Sequence, residues 1–146
     1  MAKDSPHIEY FHMGPWPVFV GATCRPKAFR RELRRLGVTQ DVPFLGTPHA
    51  NATTHIFEHE GQLTLIVTTQ KRGRMRKEAH AALIAHEATH VVQEIRRQLV
   101  AAASPAHEGL GIEAEAYLTQ YVTQEVLAVA WGTGRRLRSQ PGSTKE

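Results

Sequence analysis

The chain has 146 residues, 41% of them hydrophobic, a formal charge of +4 and one cysteine, Cys24. That length suits one domain with a modest core. The lone cysteine excludes a disulfide framework or a cysteine-rich metal site, and no stretch approaches the ~20 apolar residues of a membrane span. Residues 1–15 lack an apolar signal core and read as irregular around Pro6, Gly14 and Pro15, so a soluble, cytoplasmic protein is expected. Positions 18–23 form a strand candidate. Pro26 then opens a helix over 27–36 that Gly37 stops. Its Lys27, Arg30, Arg31, Arg34 and Arg35 crowd a solvated face, leaving Phe29, Leu33 and Leu36 to pack inward. Residues 37–52, with Pro43, Gly46, Pro48 and Asn51, are loop. Strands at 53–59 and 62–69 follow, joined at Glu60-Gly61 as a hairpin. In the second, Leu63, Leu65 and Val67 alternate with polar neighbours and Ile66. His55 and His59 share a side of their strand with Phe57 and read as structural or solvent-facing.

No Pro or Gly interrupts the chain from Met75 to Ser104, and a long helix is expected there, ending near 103–105. A loop over 107–111 leads to a second helix over 112–131, with Tyr117, Val122 or Tyr121, Val126, Leu127 and Ala130 on its inward face. Gly132 and Gly134 end it. The domain spans 1–134, and 135–146 form a flexible basic tail.

Within the long helix stands His86-Glu87-Ala88-Thr89-His90, an HExxH pattern. At about 100° per residue, positions i and i+4 lie one turn apart on one face, so His86 and His90 can offer two imidazoles to one metal ion. Glu87 projects beside them, placed to hold water rather than to ligate. Ile84, Ala88, Val91 and Ile95 form an apolar stripe on the opposite face. The competing account is a pair of ordinary histidines in a chain with 9 of them, but the helical setting favours a metal site.

Two imidazoles hold zinc weakly, so a third protein ligand is needed, with the fourth position left to water. Arg96 stands where a third histidine six residues after His90 would be, and Gln93 where a glycine would turn the chain, so the helix continues. The next helix opens Gly111-Ile112-Glu113-Ala114-Glu115-Ala116-Tyr117, and a helical hairpin would return its first turn toward the metal face. Glu113 is the favoured ligand, Glu115 the runner-up, and His107 or Glu108 the remaining candidates. A plainer account of Glu113 and Glu115 is acidic residues placed to suit a helix N-terminus.

The HExxH helix followed by Glu113-Ala114-Glu115-Ala116-Tyr117 resembles the gluzincin metallopeptidases, specifically their minimal single-domain members. The resemblance covers roughly residues 53–131. In that family the second helix carries Glu-x-x-Ala followed by Asp, Asn or Tyr. The first Glu, the zinc ligand, falls on Glu113, and the supporting residue falls on Tyr117, a departure from the commoner Asp or Asn. The fold it implies is α+β and zincin-like: a small twisted sheet packed on the HExxH helix, with a following Glu-bearing helix. It also implies an edge strand that binds extended peptide, a role the strand over 62–69 fits. Small proteins of this type also occur in phage and prophage gene sets.

The expectation is a zinc-dependent metalloendopeptidase. His86, His90 and Glu113 hold Zn2+, and Glu87 activates the zinc-bound water and passes its proton to the leaving amine. The substrate is a peptide or protein. Tyr117, Tyr121, His107 and Arg97 are the candidates for stabilising the oxyanion. The alternative is a catalytically silent, zincin-like structural or protein-binding module with a structural metal. Basic clusters at 27–35, 71–77 and 135–138 raise a nucleic-acid reading, but 14 acidic residues and 7% aromatic content argue against it.

Overall fold

The computed structural model describes residues 7–102 and 111–132. Four strands form one mixed sheet: β1 (Glu9–Tyr10), β2 (Val18–Thr23), β3 (Ala52–His59) and β4 (Gln62–Thr69). Helix α1 (Pro26–Arg35) follows β2, and α2 (Lys77–Ala102) and α3 (Ile112–Trp131) follow β4. The fold is therefore α+β. The strands lie in the order β1-β2-β4-β3, with β2 and β4 parallel and the other two pairings antiparallel.

This order corrects one expectation. The strand over 62–69 is central, and β3 is the edge. The crossover through α1 sets β2 beside β4 in parallel register, from Val18 opposite Leu63 to Thr23 opposite Thr68, so β4 has neighbours on both sides. That explains why seven of its eight residues are buried, a pattern continuous rather than alternating.

The turn between β3 and β4 has two residues, Glu60 at φ 50° and Gly61 at φ 76°. Both positive values suit the tight hairpin turn whose twist matches that of paired strands, and Gly61 adopts its value without a side-chain clash. Gly21 has a different task. A Cβ there would lie 2.7 Å from Ile8 Cγ2 and 3.0 Å from the Glu9 carbonyl, so only glycine lets β1 close on β2.

The period-two alternation of the strands splits the core in two. Val20, Leu65 and Val67 face α2 and α3, meeting Ile84, Ala88, Val91 and Ile95 from α2 and Leu118, Val122 and Val126 from α3. On the other side Ile66 packs with Phe29, Leu33 and Leu36 of the α1 segment. Tyr10 donates to Glu32 Oε1 at 2.7 Å, and Arg35 also pairs with Glu32, which ties α1 to β1. Lys27, Arg30 and Arg34 lie exposed on the far side of α1. Tyr117, expected on the inward face of α3, is instead 68% exposed. The inward stripe runs through Leu118, Val122 and Val126, and Tyr117 sits about 100° round the helix from Leu118. No helix among the described residues is long and apolar enough to cross a membrane. The candidates His107 and Glu108 and the basic tail lie outside the described residues.

Candidate functional site

Helix α2 buries the Ile84, Ala88, Val91 and Ile95 stripe, and this turns His86 and His90 outward as an exposed pair. Their Nε2 atoms lie 3.1 Å apart, with the rings nearly perpendicular at 86°. Two imidazoles sharing a tetrahedral ion at ordinary zinc–nitrogen lengths would set their nitrogens about 3.3 Å apart. The pair meets at hydrogen-bond distance, close to the separation that one shared ion would set. Gln93, one turn on, places its side-chain Oε1 at 3.1 Å from His90 Nδ1. That oxygen accepts, which fits the tautomer with its hydrogen on Nδ1, and in that tautomer Nε2 accepts from the Nε2–H of His86. The arrangement is the one by which outer groups orient a metal-binding histidine.

Glu87 points the other way, toward the sheet, and is 6% exposed. Thr54 of β3 donates to Glu87 Oε2 at 2.6 Å and lies 3.2 Å from the Glu87 carbonyl oxygen. One carboxylate oxygen is therefore held by the edge strand while the other remains for a second partner. Glu87 and His90 border one cleft of about 570 Å³ between β3 and α2. Gly46, Ala50, Thr54 and Ile56 line its strand side, and Gln93, Glu94 and Arg97 its helix side. Arg97 grips Glu94 through both Nε and Nη2, and these hydrogen bonds hold the Glu94 carboxyl below the usual carboxylate range.

The residues of α3 are placed differently. Arg96 Nη1 lies 3.4 Å from Glu115 Oε1, and Trp131 Nε1 donates to His80 Nδ1 at 2.8 Å. Together these contacts fix an antiparallel register, with Tyr121 about level with His90 and Glu125 about level with His86. Glu113 is exposed and about level with Gln98, roughly 12 Å along the α2 axis from His90 at 1.5 Å per residue. The reason is the length of α2, which continues to Ala102, so α3 begins well past the imidazole pair. Glu115 is half-buried and engaged by Arg96. Among the described residues, no group of three His, Cys, Asp or Glu side chains is positioned to hold a metal ion. His86 and His90 come together; Glu113 does not join them.

The oxyanion candidates also separate. Tyr117 borders a different hollow, with Trp16, Met13 and Tyr121, and Tyr121 donates to the His12 carbonyl at 2.7 Å. Of the described candidates, Arg97 lines the cleft that holds Glu87. Thr54, Gln93 and Glu94 are the residues that sequence reasoning missed. The first two had a readable signal: Gln93 lies three residues after His90, and alternation along β3 sets Thr54, Ile56 and Glu58 on one face.

No known family, curated protein or solved structure matches the chain.

Proposed function

We propose that the chain is a zinc-dependent metallopeptidase of gluzincin kind, on a zincin-like fold. The observation that carries this reading is the His86–His90 pair, its Nε2 atoms 3.1 Å apart, of which His90 borders the same cleft as Glu87. His86 and His90 would hold the ion, with Glu113 as the carboxylate that the resemblance assigns. Glu113 would reach the pair only with α3 displaced along α2 from the register above. When bound, a zinc ion would supply Lewis acidity, polarising a carbonyl and making water acidic near neutral pH.

The rest is the work of the chain itself. Glu87 takes a proton from the attacking water at the carboxylate oxygen that Thr54 leaves open, and returns it to the leaving amine nitrogen. Thr54 holds the other oxygen, so the carboxylate cannot swing away. Gln93 fixes the His90 tautomer. The substrate lies along β3, whose outer side pairs with no strand among the described residues, and adds to it as an extended strand. Glu87→Gln tests this: bound zinc should persist while cleavage of a denatured protein substrate disappears. Unchanged cleavage would remove Glu87 from the mechanism.

One observation favours a second reading. Because Glu113 is exposed and Glu115 is engaged by Arg96, the site as described has two ligands. A catalytically silent binding module, in which any metal would serve as a staple, does not depend on a complete hydrolytic ligand set. On this reading chelation lowers the melting temperature, and Glu87→Gln changes no function.

A further inference from the structure

A row of side chains crosses the sheet on its α2 side: Val20 of β2 pairs with Leu65 of β4, and Leu65 with Ile56 of β3. Val20 and Leu65 are 0% exposed, whereas Ile56 is 51% exposed. The core row thus continues past the helix that covers it. Its third member opens into the cleft of about 570 Å³ that holds Glu87 and His90, with Ala50 and Ala52 beside it.

The backbone around Ile56 is also available. Gln70 N donates to Asn51 O at 3.0 Å, one step beyond the β3–β4 ladder whose last pair is Ala52 opposite Thr69, so the register carries Asn51 opposite Gln70. In an antiparallel pair such bonded positions recur every second residue. Thr53, His55 and Phe57 therefore bond to β4, while Thr54, Ile56 and Glu58 direct their N–H and C=O groups to the open edge. The residues that offer backbone to a partner are the same ones whose side chains face α2. Thr54 sits at Glu87, Ile56 comes next, and Glu58 lies within electrostatic reach of Arg97. Glu58, Glu87 and Glu94 set three carboxylates against one guanidinium, already engaged by Glu94. That balance disfavours an acidic ligand and suits a neutral or basic one.

We infer that Ile56 is a specificity residue. The open edge of β3 takes an extended, neutral or basic peptide that seats a large aliphatic side chain on Ile56, next to the position at Glu87. This deepens the peptide-handling part of the proposed function and rests on it. It requires binding alone, however, so it is testable apart from hydrolysis.

The probes are dye-labelled Lys-Ala-Ala-Leu-Ala-Ala-Lys and its relatives with Ser or Glu in place of Leu. Binding is read by fluorescence anisotropy with full-length Glu87→Gln protein, so that cleavage does not interfere. The Leu peptide should bind about tenfold tighter than the Ser peptide, as expected for partial burial of one aliphatic side chain. Adding Ile56→Ser should bring the two within about twofold, and adding Ile56→Lys should favour the Glu peptide, while melting curves show both variants folded. Undiminished preference for Leu in Ile56→Ser, or no binding of any probe, overturns the inference. Leu-selective binding that depends on Ile56, in a wild-type protein that cleaves nothing with zinc present, would uphold it and reject the hydrolase reading instead.

Discussion

Two pairs of histidines in this molecule share a residue type and little else. His55 and His80 are buried, at 8% and 1% exposure, and every ring contact they make is internal. His55 Nε2 sits 3.0 Å from Thr68 Oγ1 and 3.1 Å from the Phe44 carbonyl, with the Phe29 ring 4.6 Å away. His80 accepts from Trp131 at Nδ1, while Lys77 lies over the Trp131 ring at 5.0 Å. Burial pushes both imidazoles below their ordinary pKa. His86 and His90 stand exposed on α2, their Nε2 atoms 3.1 Å apart. Buried rings whose nitrogens meet hydroxyls, carbonyls and an indole hold the fold together. The exposed rings face each other at hydrogen-bond distance, and the proposed metal site rests on that pair.

The comparison breaks first, if it breaks, at the chemistry. Glu87→Gln should lower the hydrolytic rate by about 10²–10⁴-fold, the usual scale for losing a general base, and leave zinc affinity nearly unchanged. Steady-state kinetics and a metal assay on one preparation check both halves. Next in size is the cross between the pairs. His80→Ala should cost about 2–4 kcal/mol in chemical denaturation, because it opens a cavity and strands the Trp131 N–H, yet spare zinc binding in the folded protein. His90→Ala should do the reverse, changing apo stability by less than about 0.5 kcal/mol. Gln93→Leu sharpens the exposed half. Without an acceptor at Nδ1 the His90 tautomer is no longer fixed, and zinc affinity should fall about 10–100-fold by competition titration.

The buried half carries a pH signature. Since burial lowers the folded pKa of His55 and His80, the unfolded chain takes up these protons first as pH falls. Their contribution is whole above about pH 6.5 and is lost as pH drops from there through the folded values. The melting temperature should therefore decline between pH 7 and 5.5. The slope should be shallower in His80→Gln, whose side-chain oxygen can still accept from Trp131. A small effect is also expected of Arg96→Ala. It removes a partly exposed ion pair with Glu115 and should cost no more than about 1 kcal/mol.

Local signals carried most of the fold. Pro26 before a basic amphipathic run, Glu60-Gly61 between alternating runs and Gly132 after the second long helix each mark a boundary within a residue or so of that observed. β1 is not legible in the sequence, because a two-residue stretch between Pro6 and Gly14 looks like loop and is made a strand by Gly21 of the neighbouring β2. The edge was misassigned because a hairpin fixes which strands pair but not which of them gains a second neighbour. In the site, the pairing of His86 with His90 is readable from helical spacing alone, whereas Glu87, expected to project beside them, is turned toward β3 by the burial of its side of α2. Glu113 and Tyr117 depended on how far α2 runs past His90 and how α3 then docks, and those are tertiary facts. The contacts that set the register, Arg96 with Glu115 and His80 with Trp131, have no signature in local sequence.

The proposed site requires a divalent ion held by the two exposed imidazoles. The most direct measurement is a calorimetric zinc titration of chelator-treated protein beside His86→Ala, His90→Ala and His80→Gln. One ion per chain should bind to wild type and to His80→Gln, and to neither of the other variants. Equal binding by all four proteins, or none by wild type, would contradict it.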